Sequence, residues 1–570
     1  MLKETEVPPP TEPPSSLSNA EIADRLSALA QLMTIEKANP YKVRAYRKAA
    51  AVIRSLGESV NEMVRNDEDL RVYSGIGEAM SAAIREIVET GTLKSLEKLK
   101  ASVSPELASL TDHPRLDPRR VLRIYKKLKI ASVDALRAAL HSGELERILG
   151  SRMAQHVRLG LVETETILLY HAHAIAEAIR KYLLKKAGAK RAEAVGDYRR
   201  CVETISRFDF LVETPDFTAV IESMKQYGGR TPLLESSAVD AVYALSSGPL
   251  LCLELSDSEH WGLNMIRTTG SGAHLRKLAR VTGSLKSLET SSFPEEETFY
   301  TRFEMQAISP ELREGNDEVG LARKGKLPQL VMEEDIRGDL HAHTFGSDGS
   351  GSVEEMAEAA RELGYEYVGI TDHTPSLKIA NGQSVENLRS QIREIDRLNE
   401  HLSGFRILKS AEVDILADGA LDLPDDVLQE LDYTVCSIHS RFSMNRENQT
   451  ERVLRAMDSP YFTILGHATG RLLLKRPGYE LDFERLIQHA KERGHFFELN
   501  ASPDRLDISA ENARLVRMAG IKVAISTDSH STGEYPTIRY GIEQARRAGL
   551  EKDDVLNCLS VDVLLALVAR

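Results

Sequence analysis

Residues 339–350 read DLHAHTFGSDGS, a short strand pattern that ends in two histidines two residues apart. Side chains alternate along a strand, so His341 and His343 face the same side. The construction recurs downstream. YEYVGITDHT (365–374), FRILKSAEVDI (405–415), LDYTVCSIHS (431–440), YFTILGHATG (461–470), HFFELNAS (495–502) and IKVAISTDSH (521–530) are apolar or β-branched runs that end in polar residues. Helical patterns such as VEEMAEAARELG and FERLIQHAKERG follow most of them. Repeated strand–helix units predict a parallel sheet. Seven of them within residues 337–570 predict a barrel whose active site gathers at the C-terminal strand ends.

Those ends carry His341, His343, Asp372, His373, Glu412, His439, His467, Asn500, Asp528 and His530, with Asp348 in the first loop. Asp528 and His530 repeat the two-residue spacing of the first pair. A lone histidine is ordinarily a core or surface residue. Imidazoles and carboxylates at successive strand ends of one sheet are instead what divalent Zn, Mn or Fe sites require. Glu412 has two ligating oxygens and is suited to bridge two ions. Asp372, beside His373, reads as a supporting partner rather than a ligand.

The set DLHAHT, SDGS, TDH, a glutamate, IHS, GHATGR and STDSH resembles the PHP (polymerase and histidinol phosphatase) family of metal-dependent phosphoesterases, over residues 337–570. The resemblance implies a distorted (β/α)7 barrel with three divalent metal ions. It places His341, His343, Glu412 and Asp528 on the first ion, Asp348, His373 and His530 on the second, and Glu412, His439 and His467 on the third. His341, His343, Glu412 and Asp528 are then the catalytic core. Arg471, in GHATGR, is expected either to clamp a phosphate or to form a structural ion pair. Such ions lower the pKa of bound water and neutralise charge on the phosphoryl oxygens.

The N-terminal half differs in character. Residues 1–18 are rich in Pro, Ser and Thr and read as a disordered tail. Residues 19–105 and 106–188 are helical in pattern, with apolar residues at three- and four-residue steps. YSGIGEAMSAAIREI (73–87) fits a hairpin leading into a helix. Gly75 and Gly77 permit close backbone approach, and the helix start offers free N–H groups to a phosphate. This stretch, with NPYKVRAYRKAAAVIRSL before it and TGTLKSLEKL after, resembles the N-terminal domain of family X DNA polymerases. Residues 19–105 are therefore expected to form a helix-hairpin-helix domain that grips DNA backbone through Gly75, Gly77, Lys42, Arg44, Arg47 and Lys48. A second basic cluster, RLDPRRVLRIYKKLK (115–129), stands where the family has another hairpin, without its glycines. The family's Schiff-base lysine corresponds to Ala83, so lyase activity would need another amine.

RFDFLVET, AVDAVYAL and PLLCLEL read as strands of an α+β unit over residues 189–310, followed by a charged, turn-rich linker at 311–336. The unit resembles the family X palm, and residues 196–209, GDYRRCVETISRFD, match the palm signature. The signature's first metal-binding aspartate is Arg207 here. Arg200 and Asp209 are kept, and Asp240 corresponds to the third carboxylate. Two-metal nucleotidyl transfer needs clustered carboxylates, and a guanidinium among them repels Mg2+. Asp197 adds negative charge where a triphosphate binds in the family, and Leu275 replaces a nucleotide-contacting Asn. The palm is thus expected to be degenerate.

The chain of 570 residues has a net charge of −13 and four scattered cysteines without a CxxC pair. That pattern disfavours a disulfide framework and points to a reducing, cytoplasmic setting. Neither a membrane-spanning run nor a secretory signal is expected. The acidic total tells against a nucleic-acid binder only mildly, because a local basic surface suffices. The expected protein is a DNA-directed metal phosphoesterase with 3′–5′ exonuclease or 3′-end-processing activity in base-excision-type repair, acting on gapped, nicked or 3′-end DNA. The alternatives are a histidinol-phosphate-type phosphatase, a still active family X polymerase and a non-catalytic DNA-binding scaffold.

Overall fold

The computed structural model describes residues 17–35, 38–102, 123–125, 127–130, 132–150, 153–154, 157, 166–245 and 247–569. Most of the expected tail, and most of the second basic cluster at 115–129, lie outside the described residues. The chain divides into two compact units, each considered by itself. The first comprises residues 1–167, 171–194 and 206–258, and the second comprises 168–170, 195–205 and 259–570.

The first unit begins with helices α1 (Asn19–Ile35), α2 (Pro40–Ser55), α3 (Val60–Arg65), α4 (Glu78–Thr90) and α5 (Lys94–Ser102). Asn39 caps α2 with Pro40 behind it, and Ser59 caps α3. Ile22, Leu26, Leu29, Ile53, Ile84 and Ile87 close one core among these helices. The hairpin before α4 depends on glycine. Gly75 holds φ at +103°, and a Cβ there would press on the Lys48 side chain at 2.9 Å. Gly77 caps α4 with no side chain of its own, leaving the first N–H groups of the helix uncovered.

A five-stranded mixed sheet completes this unit: β1 (Arg191–Val195), β2 (Arg207–Glu213), β3 (Leu233–Ser236), β4 (Asp240–Ala244) and β5 (Leu250–Leu255). Their order is β1-β2-β5-β4-β3. Alternation buries Phe208, Phe210 and Val212 on one face of β2 and leaves Arg207 and Asp209 on the other.

In the second unit the strand rhythm seen in the sequence is realised. A parallel sheet joins β6 (Gly338–Ala342), β7 (Tyr367–Ile370) and β8 (Arg406–Lys409). Another joins β9 (Glu412–Asp414), β10 (Val435–Ser437), β11 (Ile464–Leu465), β12 (Phe496–Asn500) and β13 (Val523–Ser526), also parallel. Parallel bridges link the two sheets: Ala342–Ser529 joins β6 to the segment beyond β13, and His373–Glu412 joins the segment beyond β7 to β9, which continues β8, so the strands form a closed ring. FRILKSAEVDI, expected as one strand, is β8 and β9 interrupted at Ser410–Ala411. Ser410 Oγ there donates to Tyr433 O at 3.0 Å. The stretch expected as a linker is packed: it carries a helix at Glu318–Arg323 and buries Arg313, Glu318 and Val331.

Candidate metal centre

The strand ends of the ring bring all of the expected ligands into one cluster. His341 Nε2 lies 3.5 Å from both Glu412 Oε2 and Asp528 Oδ1. His343 Nε2 is 3.0 Å from Asp528 Oδ1, and its Nδ1 is 3.9 Å from Asp348. His373 reaches Glu412 Oε2 at 2.8 Å and Asp348 Oδ1 at 3.5 Å. His439 and His467 approach Glu412 Oε1 at 3.3 and 2.7 Å, and His530 Nε2 stands 3.3 Å from Asp348. Glu412, on β9, is the hub, with five of the histidines within 4 Å of its carboxylate.

Three groups of these side chains are close enough to share an ion: His343, Asp348, His373 and His530; His341, His343 and Asp528; His373, Glu412 and His439. The grouping overlaps the expected ligand sets, but His343 and His373 each belong to two groups. His467 stands beside the third group through Glu412. His341 Nε2 and Glu412 Oε2 are buried without a hydrogen-bond partner, although both lie inside the cluster. Leaving such atoms unsatisfied is costly, so this donor set fits divalent cations.

The electrostatics agree. Burial disfavours the imidazolium of His341, yet Glu498, Asp528 and Glu412 raise its pKa well above the ordinary value. His439 and His530 rise to about 9 against their own burial, through Glu412 and Asp414 in one case and Asp348 and Asp528 in the other. Burial likewise works against charge on Glu412 and Asp528, but the surrounding histidines hold both carboxyls far below their usual range. His343 drops to about 4 because it is buried beside His373 and His530. The cluster attracts positive charge, and metal binding there would displace protons from its imidazoles.

A supporting layer was only partly legible in the sequence. Glu498, fully buried on β12, places Oε1 2.7 Å from His341 Nδ1, and its Oε2 accepts the His467 backbone N–H at 2.7 Å. Asp414 lies 2.7 Å from His439 Nδ1. Both fix their histidines with Nε2 toward the cluster. Neither has a histidine beside it in the sequence, although Asp414 ends β9. Asp372 accepts from Thr344 N at 2.8 Å, Ser347 Oγ at 2.6 Å and Gln391 Nε2 at 2.6 Å, tethering the loop that carries Asp348. Asn500 donates to Asp528 at 3.1 Å.

Arg471 is engaged elsewhere. Its guanidinium pairs with Glu203 at 2.6 and 3.1 Å and donates to the carbonyls of Arg505 (3.0 Å) and Leu506. The structure therefore places it in an ion pair. Arg505, which the sequence reading passed over, sets its Nε 3.4 Å from Asp528 Oδ2 while staying partly exposed.

In the first unit, Lys42, Arg44, Arg47 and Lys48 are all exposed on α2, the helix whose Lys48 covers Gly75. Arg207 Nε pairs with both oxygens of Asp209, at 2.9 and 3.1 Å, and Asp240 accepts from Ser237 Oγ at 2.5 Å. Burial, with Asp209 next, raises the neighbouring Cys252 thiol to about 11. Among the described residues, no group close enough to share an ion includes Asp209 or Asp240. Arg200 falls in the second unit, bonded to Thr269 O, Glu314 and Asp197.

A parallel ring crowned by this ligand cluster defines a protein with a metal-dependent PHP domain. That family matches residues 339–502, and the helix-hairpin-helix domain family matches residues 17–93. The chain belongs to the PolX family: it is 32% identical over 570 residues to the DNA polymerase/3'-5' exonuclease PolX of Bacillus subtilis (strain 168), covering 96% of this chain and 99% of that protein. The C-terminal part is also similar to shorter proteins. One is a probable phosphatase of Thermoanaerobacter sp. (strain X514), 31% identical over 231 residues, 38% of this chain and 89% of the relative. Another, from Acetivibrio thermocellus, is 33% identical over 206 residues, 34% of this chain and 80% of the relative. No described helix is long and apolar enough to cross a membrane.

Proposed function

We propose that the chain is a DNA-directed, metal-dependent phosphodiesterase that removes nucleotides from 3′ ends in base-excision-type repair and no longer synthesises DNA. The observation that carries this is the complete ligand cluster around Glu412 in a chain whose full length matches a polymerase/exonuclease. On this reading residues 337–570 form a distorted (β/α)7 PHP barrel and residues 189–310 a degenerate palm and thumb. Residues 19–105 form the DNA-gripping module, 106–188 a fingers-like region, and the protein works in the cytoplasm.

His341, His343, Asp348, His373, Glu412, His439, His467, Asp528 and His530 would hold up to three ions of Mn, Zn or Fe. Such ions supply hydroxide at neutral pH and offset charge on the phosphoryl oxygens. Glu498 and Asp414 keep the imidazoles of His341 and His439 turned inward. Arg505, beside Asp528, presents a cation to the phosphate, one of the two roles expected of Arg471. The Arg207–Asp209 pair supports loss of synthesis, since it occupies a carboxylate that Mg2+ would need.

The test is digestion of a 5′-labelled oligonucleotide, single-stranded and gapped, with Mn2+ and with dNTPs in parallel. A ladder shortening from the 3′ end, absent with His341→Ala and with no extension by dNTPs, is the expected result. The match to probable phosphatases favours one second reading, a small-molecule phosphatase. Phosphate release from a small phosphomonoester with the DNA left intact would establish it instead.

A further inference from the structure

Phe345 lies two residues beyond His343 and three before Asp348, and its side chain is 66% exposed. The backbone beneath it is well held. Phe345 N–H donates to Gly351 O at 2.8 Å, and Ser347 N–H donates to Thr344 O at 3.1 Å. Thr344 and Ser347 are in turn tied to Asp372. A fixed loop therefore keeps an aromatic ring in water next to the ligand cluster. A second apolar side chain, Ile379, is 93% exposed on the short turn Lys378–Ala380. The two loops are joined, since Asn381 Nδ2 donates to Ser347 O at 3.4 Å.

Beside Phe345 is a cavity of about 360 Å³, bounded on its other side by helix α6 (Val385–Asn399). Its lining includes Gly346, Asn387, Ser390 and the carboxylate of Glu394, together with Gln383 and Gln391, whose amides bond to each other and, through Gln391, to Asp372. Asp348 and His530 are the most exposed ligands of the cluster, and Asp348 shares a loop with Phe345.

We propose that Phe345 is the stacking platform for the base of the 3′-terminal nucleotide, with the adjoining cavity receiving that base while its phosphate meets the ligand cluster. The proposal rests on the nuclease reading above and names the part of the substrate that this loop recognises. A ring accepts any base because every base has a π face, and Asn387 and Ser390 add hydrogen-bonding groups that suit base edges. A small phosphomonoester without a base would make no use of it.

The test uses the full-length chain and an oligonucleotide with 2-aminopurine as its 3′-terminal base, bound in EDTA so that hydrolysis is silent. Stacking quenches this fluorophore. Quenching is expected with the native chain, lost in Phe345→Ala and restored in Phe345→Tyr. In Mn2+, Phe345→Ala is expected to lower kcat/KM on a normal 3′ end by about 5- to 150-fold. Removing the terminal base from the DNA should cost the native chain a similar factor, and the two losses should not add. Quenching that survives without the ring, or losses that multiply, would overturn the assignment while leaving the nuclease intact. A native chain that leaves DNA uncut in Mn2+ would instead remove the nuclease reading, and this proposal with it.

Discussion

With both oxygens committed inside the ring, Glu498 ties His341 Nδ1 to the His467 backbone and so orients two ligands from one buried side chain. An amide of the same shape cannot accept at both oxygen positions. Glu498→Gln is expected to weaken metal binding by about 10- to 100-fold, measured by metal titration of the demetallated protein. Unchanged affinity would show that His341 orients itself. Arg505→Ala separates a different role: it should lower turnover of phosphodiesters while metal content, read by elemental analysis, stays at the native level. The ligands were legible because strand period and strand end together single them out. Glu498 was not, since one acid within HFFELN looks like many others until folding places it 2.7 Å from a histidine 157 positions away. The commitment of Arg471 to Glu203 was hidden by the same kind of distance in sequence.

At the scale of elements, three short segments of the second unit are locked by one carboxylate. Glu296 opens the helix Glu296–Arg302 and receives Arg199 from the helix Gly196–Arg199, at 2.7 and 3.0 Å, and Arg313 from beyond the turn Pro310–Leu312. Burial alone would raise the Glu296 carboxyl, but the two guanidinium groups bring it from 4.5 down to about 2. A carboxyl depressed on folding stabilises the protein above its unfolded pKa, and that stabilisation fades as pH falls through the folded one. Glu296→Gln should therefore cost about 3 kcal/mol at neutral pH. Denaturant unfolding of both proteins should show the gap closing between roughly pH 4.5 and 2. A gap independent of pH would mean that shape rather than charge holds the junction. Sequence reading took residues 311–336 for a linker because charge and turn residues dominate there. Their partners, Glu296 among them, come from elsewhere in the chain, and composition does not report partners. The split of FRILKSAEVDI at Ser410–Ala411 was illegible for a related reason: the Ser410 hydroxyl there donates to the carbonyl of Tyr433, 23 positions away, just before β10.

For the molecule as a whole, the unresolved tension is charge: an acidic chain of net −13 is assigned a polyanionic substrate. On the proposed reading, the exposed cations of α2 answer it locally. Lys42, Arg44, Arg47 and Lys48 fall within seven residues of one helix, next to a hairpin whose following helix begins with uncovered N–H groups. Attraction to phosphates acts over about 10 Å at ordinary salt, so a local cluster decides binding while distant acids are screened. Each phosphate neutralised contributes about 0.9 to the slope of log affinity against log salt on duplex DNA. Replacing all four cations with alanine should therefore lower that slope by about 3 to 4 and weaken DNA binding at 0.1 M salt, measured by fluorescence anisotropy with a gapped duplex. The same variant should hydrolyse a small phosphodiester as the native protein does, because none of the four residues belongs to the ligand cluster. An unchanged slope would move the grip to another surface of the chain. Loss of small-substrate hydrolysis would show instead that α2 supports the metal centre itself.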